Sequence, residues 1–170
     1  QVLKAFLFDV SKQLSVYVGL TILTTLLLKY EGMNWYDAIN HSMSACGTCG
    51  FSTKNNSMAF FDNPSMELTI MFAMVLSGIH FGILYATLTG KRNNIFRSEI
   101  VRVYIGMMVA ISLIIAFSLM SENIYDSFGE ALRHASFQVA SITTTSGFAT
   151  ADTNTWTPVA IILLIFCTVI

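Results

Sequence analysis

The stretch S-I-T-T-T-S-G-F-A-T, Ser141–Thr150, decides the fold of this chain. It carries no charge, sets five hydroxyls after Ile142 around one glycine, and has apolar sequence on either side. A second stretch, S-A-C-G-T-C-G-F-S-T at Ser44–Thr53, matches it. Setting Gly50 on Gly147 also sets Ser44 on Ser141, Thr48 on Thr145, Phe51 on Phe148 and Thr53 on Thr150. Each copy leads through a few polar residues to a proline (Pro64, Pro158) and then to a long apolar run. The chain is an internal repeat, and its architecture follows from that unit. Polar, non-helical backbone at membrane depth is tolerated only where it is buried in protein or lines a polar path.

Composition sets the class. Of 170 residues, 54% are hydrophobic and 11% charged, against roughly 25% charged in soluble domains. The apolar runs are continuous rather than alternating, so they read as helices and not as barrel strands. The fold class is an all-α membrane protein; a water-soluble all-α core is the alternative, and the charge depletion argues against it. Gln1–Val10 lacks the basic start, apolar run and cleavage site of a signal peptide in that order. Three cysteines make no disulfide framework. Cys46-Gly-Thr-Cys49 has redox or zinc spacing, but the second copy carries Thr143 and Ser146 at those positions, and hydroxyls cannot do thiol chemistry.

In chain order, residues 1–13 read as a cytoplasmic or interfacial lead-in and 14–30 as a first span flanked by Lys12 and Lys29. Residues 34–45 are too short and too polar to cross, with Asn34 or Asp37 as cap, and lead as a half-helix into a loop at 46–53. Residues 65–89 form the strongest expected span, in which Gly78-Ile-His-Phe-Gly82 is a small-x-x-x-small pattern for helix packing through Gly78 and Gly82. A basic connector follows at 91–99. The second unit repeats the order: span 100–120, half-helix 123–140, loop 141–150, and an apolar segment 158–170. That last segment gives about 20 Å of helix against a hydrocarbon core of roughly 30 Å, so the chain is expected to stop in mid-membrane. Six of the nine basic residues (Lys4, Lys12, Lys91, Arg92, Arg97, Arg102) lie opposite the loops. The positive-inside rule puts them in the cytoplasm and the loops outside, where acidic residues would concentrate cations modestly.

A half-helix entering from outside aims its C-terminal carbonyls at the membrane centre, where the negative dipole end favours a cation. The loop that returns must bend tightly, which explains a glycine. Its carbonyls can replace the water of a dehydrated ion, and uncharged Ser and Thr hydroxyls suit a monovalent cation better than a divalent one. Helix packing by small residues is the plainer reading, but it does not account for a short half-helix before each loop, twice.

His41–Thr53 and Phe137–Asp152 resemble the second and third pore segments of the TrkH-type potassium uptake subunits of the Trk/Ktr/HKT superfamily. The flanks agree at Asp37–His41, Ser77–Phe81 and Trp156–Pro158, so the likeness covers nearly the whole chain. The resemblance implies a partial pseudo-fourfold, channel-like fold, with this chain holding the two central repeats of four. It implies a selectivity filter at Gly47, Thr48, Cys49, Gly50 and Phe51 in one loop and at Thr144, Thr145, Ser146, Gly147 and Phe148 in the other. In that filter K⁺ is held by carbonyls of Thr48, Cys49, Thr145 and Ser146. It further implies the remaining pore repeats, a homodimer, a cytoplasmic nucleotide-binding regulatory subunit and a bacterial inner-membrane location in lipid. Cys49 stands where the family usually has glycine.

His41 and His134 read as polar anchors within the half-helices, His80 as a neutral packing residue, and Arg133 as a partner of Glu130 or a neighbour at the mouth. No catalytic triad, carboxylate pair, phosphate loop, cofactor motif or nucleic-acid signature is present in the sequence. The expectation is a non-enzyme without a cofactor that passes K⁺ inward. Its rivals are a Na⁺-permeable member of the same superfamily, a non-transporting scaffold or assembly subunit, and a thiol-based redox protein.

Overall fold

The computed structural model describes residues 2–90, 95 and 98–169, with side chains from Val10 onward. The connector expected at 91–99 lies largely outside the described residues. Among them every regular element is helical: α1 (Val2–Tyr30), α2 (Trp35–Cys46), α3 (Pro64–Ser77), α4 (Phe81–Leu88), α5 (Glu99–Ser121), α6 (Phe128–Thr143) and α7 (Pro158–Cys167). Short 3-10 turns occupy Ser57–Phe60 and Thr153–Thr155.

The lead-in expected at 1–13 is not a separate element. No proline interrupts the run, and one helix, Val2–Tyr30, continues through it. Gly32, at φ +105°, closes α1, and the Met33 N–H returns to the Leu28 carbonyl at 3.0 Å. Of this helix Val10–Tyr30 is long and apolar enough to cross a membrane, as is Glu99–Ser121. Leu14, Ile22 and Leu26 on α1 and Val109, Ile114 and Phe117 on α5 are exposed, which is the outward face of a helix solvated by lipid.

The half-helices are amphipathic and capped. Asn34 Oδ1 accepts the Asp37 N–H at 2.7 Å to start α2, and Ser127 Oγ accepts the Glu130 N–H at 3.2 Å to start α6. At roughly 18 and 24 Å, neither crosses a hydrocarbon core. α6 begins at Phe128, not at 123, and both half-helices run into the stretches expected to be loop, through Cys46 and through Thr143. The helical hydrogen bonds persist there; the Thr144 N–H still reaches the Ala140 carbonyl at 3.0 Å.

The span expected at 65–89 is broken. α3 and α4 meet at 103° across Gly78-Ile79-His80. Gly78 ends α3 with its N–H on the Met74 carbonyl, and His80 Nδ1 accepts the Gly82 N–H to cap α4. A Cβ on Gly78 would overlap the Tyr104 hydroxyl and come within 3.1 Å of Thr144 Cγ2. A Cβ at Gly82 would meet only the ring of His80, and because Gly78 ends α3 while Gly82 lies in α4 the two glycines share no helical face.

α1 packs on α2, α3 and α4, and α5 on α6 and α7, so each copy of the repeat is a unit. α3 against α6 joins the units around one core that includes Ile70, Met74, Ile115, Leu119, Phe137 and Phe148.

Candidate functional site

The two loops hang from the C-termini of α2 and α6, and their backbones fold alike. Gly147 stands 97 positions after Gly50, and the hydrogen bonds recur at that offset. Gly47 N–H reaches the Met43 carbonyl at 2.8 Å and Thr144 N–H the Ala140 carbonyl at 3.0 Å. Cys49 N–H reaches the Ser44 carbonyl at 2.9 Å and Ser146 N–H the Ser141 carbonyl at 2.8 Å. Thr48 and Gly50 lie at φ +50° and +68°, Thr145 and Gly147 at +56° and +77°. A left-handed conformation suits glycine and is unusual for a β-branched residue. The same Thr-x-Gly distortion in both loops is held by the helix ends beneath it.

The loops touch. A Cβ on Gly50 would overlap the Ser146 carbonyl oxygen and lie 3.2 Å from Gly147 Cα. Gly50 of the first stretch is thus brought against Ser146 and Gly147 of the second, with Thr145 and Gly147 exposed and Ser146 and Phe148 buried. Ser141 Oγ donates to the Phe148 carbonyl at 2.7 Å, and the Thr144 and Ser146 hydroxyls pair at 2.9 Å. Phe148 stacks on His41 of the first half-helix, ring centroids 5.9 Å apart. Beyond the loops, Ala59 N–H bonds the Ala149 carbonyl and Ala149 N–H the Ser57 hydroxyl, both at 3.1 Å. Cys49 is exposed with its thiol toward the Gly47 carbonyl at 3.3 Å, whereas Cys46 is buried.

Around this centre the half-helices use one register with different chemistry. Asp37 accepts from the Thr53 hydroxyl at 2.5 Å; at the same offset His134 Nδ1 meets the Thr150 hydroxyl at 3.1 Å. Lys54 Nζ lies 3.2 Å from Asp37, and Asn34 Nδ2 donates to it at 2.8 Å. Burial pushes the Asp37 carboxyl up, but the bonds from Thr53, Lys54 and Asn34 together hold it below the ordinary value, so it stays ionised. His41 is anchored as expected, Nδ1 at 2.8 Å from the Asp37 carbonyl and Nε2 at 2.9 Å from Ser52 Oγ.

Arg133 does not pair with Glu130. Its Nε and Nη2 hold the two oxygens of buried Glu67 at 2.6 and 2.7 Å, and Nη2 reaches Asp62 at 3.4 Å, which ties α6 to α3. Sequence reasoning missed this pair and the Asp37–Thr53 and His134–Thr150 pairs. The offset of 97 relates the latter two to each other, since it places Asp37 on His134 and Thr53 on Thr150. Nothing in the chain order signals Glu67 as the partner of Arg133.

Exposed apolar spans, two re-entrant half-helices and two joined polar loops define a helical, multi-pass membrane protein built from repeated pore-type units. Residues 9–170 match the model of the family described as TrkH, cation transport protein. The chain belongs to that family, whose members reside in the plasma membrane. It is 35% identical over 153 residues to the Trk system potassium uptake protein TrkH of Salmonella typhimurium, a match covering 89% of this chain and 32% of the relative. The Escherichia coli K12 protein of the same name is 33% identical over 153 residues, with the same coverage. The crystal structure of the potassium transporter TrkH from Vibrio parahaemolyticus superposes with a TM-score of 0.84 at 29% identity, covering 90% of this chain and 33% of that one. The chain spans about a third of the length of these relatives.

Proposed function

We propose that this chain forms two adjoining repeats of a potassium uptake pathway, residues 14–90 and 100–170, in which the joined loops are part of a carbonyl filter. The observation that carries the reading is the matched left-handed Thr-x-Gly backbone at Thr48–Gly50 and Thr145–Gly147, in mutual contact at the ends of two half-helices. Left-handed residues on either side of Cys49 and of Ser146 turn successive peptide planes, the arrangement through which a short loop can aim several carbonyls at one ion. The half-helix dipoles add negative potential at the same point, and carbonyls in that field replace hydration water. The relatives named above are potassium uptake proteins and not enzymes, which supports K⁺ as the cargo. Within this reading the ring of repeats, the homodimer, the cytoplasmic nucleotide-binding subunit and the bacterial inner membrane complete the transporter.

The test is Gly147→Ser in the full-length protein. At Gly147 a Cβ would stand 4.0 Å from its nearest neighbour, so space is ample and only the φ of +77° opposes the change. The strain is about 1–3 kcal/mol, too little to unfold a helical bundle. A carbonyl turned by that strain leaves the ion's shell, and a hundredfold selectivity rests on only about 3 kcal/mol. The variant should reach the membrane and lose most of its K⁺ over Na⁺ preference. Gly50→Ser should do the same with poorer expression, because its Cβ meets the Ser146 carbonyl. Gly106→Ser, with nothing within 4 Å, should leave the ratio alone. A wild-type ratio in both loop variants would overturn the filter; a wild-type protein that prefers Na⁺ would keep the filter and change the cargo.

A further inference from the structure

Pro64, Glu67, Leu68, Met71, Phe72 and Val75 follow one another at helical spacing along one face of α3, and two cavities line that stripe. The upper, about 240 Å³, lies between the start of α3 and Arg133, Ser136 and Phe137 of α6. The lower, about 380 Å³, lies between α3, α5 and α6 and reaches Val109 and Ser112. Met71 and Ser136 border both, so the two form one groove at the seam of the repeat units. From Pro64 to Val75 the helix rises about 16 Å, close to half of a roughly 30 Å hydrocarbon core. The groove is thus as deep as one leaflet. Leu68, Phe72 and Val109 along it are exposed, so it opens on the apolar surface that meets lipid.

Charge marks one end of this groove. Arg133 Nε and Nη2 hold Glu67, Nη2 reaches Asp62 at 3.4 Å, and among the described residues Nη1 has no partner. One guanidinium stands against two carboxylates, and the Asp62 side chain is 88% exposed. A purely anionic headgroup would meet that excess of acid, whereas one carrying both an anion and an ammonium matches it. We infer that the groove binds a phospholipid with a primary-ammonium headgroup, of the phosphatidylethanolamine class. Its acyl chain lies along the α3 stripe, its phosphate faces Arg133 and its ammonium faces Asp62. A primary ammonium donates charge-assisted hydrogen bonds to a carboxylate, which the fully methylated nitrogen of a choline headgroup cannot do. The inference rests on the membrane class of the fold and not on the filter, so it stands or falls apart from the ion ratio of Gly147→Ser.

The test uses the full-length protein in nanodiscs of dioleoylphosphatidylcholine. These carry a trace of phosphatidylethanolamine, phosphatidylglycerol or phosphatidylcholine bearing a photoreactive diazirine in the middle of one acyl chain. Labelled positions are mapped by peptide mass. The ethanolamine probe should label α3 around Met71–Val75 and α5 around Met108–Ser112 about fivefold more than either other probe, the scale of an exposed ion pair. Asp62→Asn should bring its labelling down to that of the choline probe. This variant leaves the Arg133–Glu67 bonds in place, and asparagine tolerates the φ of +40° at position 62, so the fold is retained. Val109→Trp, which fills the lower cavity from an exposed position, should remove labelling there by all three probes. Equal labelling by the three headgroups in the wild-type protein, or a preference for the glycerol headgroup, would overturn the inference. So would an ethanolamine preference that survives Asp62→Asn. Absence of label from the groove would mean that a second copy or another segment of the chain fills it, and would overturn the inference as well.

Discussion

Thr145 is the residue at which backbone and side chain make separable claims on the pathway. A non-glycine residue in the left-handed region costs roughly 1–2 kcal/mol, and Thr145 sits there at φ +56°, as does Thr48 at +50°. Thr145→Gly removes that strain and adds about 0.5–1 kcal/mol of chain entropy to be lost on folding, so the net change should be slightly stabilising. The thermal midpoint of the purified protein should hold or rise by a few degrees while the K⁺/Na⁺ ratio falls, because a freer peptide no longer fixes its carbonyl. Thr145→Val keeps the branched shape and drops only the hydroxyl; if carbonyls bind the ion, its ratio should stay near wild type. Loss of selectivity in Thr145→Val as well as in Thr145→Gly would assign the ion to the hydroxyl instead. At this scale the sequence was informative: the aligned Gly50 and Gly147 do take positive φ. It was silent on the threonines, because nothing in a threonine's identity announces a left-handed conformation imposed by its surroundings.

Among the elements, α3 shows both the reach and the limit of reading the chain. Its start was legible, with Asn63 capping and Pro64 in the first turn. Its end was not. The apolar run continues through Gly78 to Thr89 without a proline, and the bend lies where Tyr104 of α5 and Thr144, just after α6, leave no room for a side chain at Gly78, a closeness that chain order does not display. The same helix carries Glu67, whose pair with Arg133 fastens the second half-helix to the first unit. Removing one partner of a buried pair costs about 3–5 kcal/mol, whereas replacing both with apolar residues is often neutral. The Arg133 side chain is 27% exposed and also reaches Asp62, so Glu67→Ala should cost less, about 2 kcal/mol, seen as a lowered unfolding midpoint. Glu67→Met with Arg133→Met should recover most of it. A double variant no more stable than the single one would show that the pair's charge, not its packing, holds α6 against α3.

For the whole molecule, orientation in the bilayer follows from where charge and helix ends fall together. The N-terminal ends of α2 and α6 carry Asp37 and Glu130, and Asp62, Glu67 and Asp152 lie on the same side of their units as the loop segments. Lys54 and Arg133, the basic residues among them, are each bound to acids. The other end of the spans carries most of the basic residues of the sequence, and the positive-inside rule predicts that end to be cytoplasmic. That orientation predicts half-helices that enter from outside with their carbonyl ends inward, which would place a negative potential on the path of an entering cation. The measurement is single-cysteine labelling in intact cells with a membrane-impermeant maleimide. A cysteine at Asn55, exposed beside the first loop, should react from outside, and one at Glu99, at the start of α5, only after permeabilisation. The reverse pattern would turn the molecule over and make the acidic mouth an exit rather than an entrance. Protection at both positions would mean that the loop side never reaches external water, and an uptake pathway through Gly50 and Gly147 would have no opening.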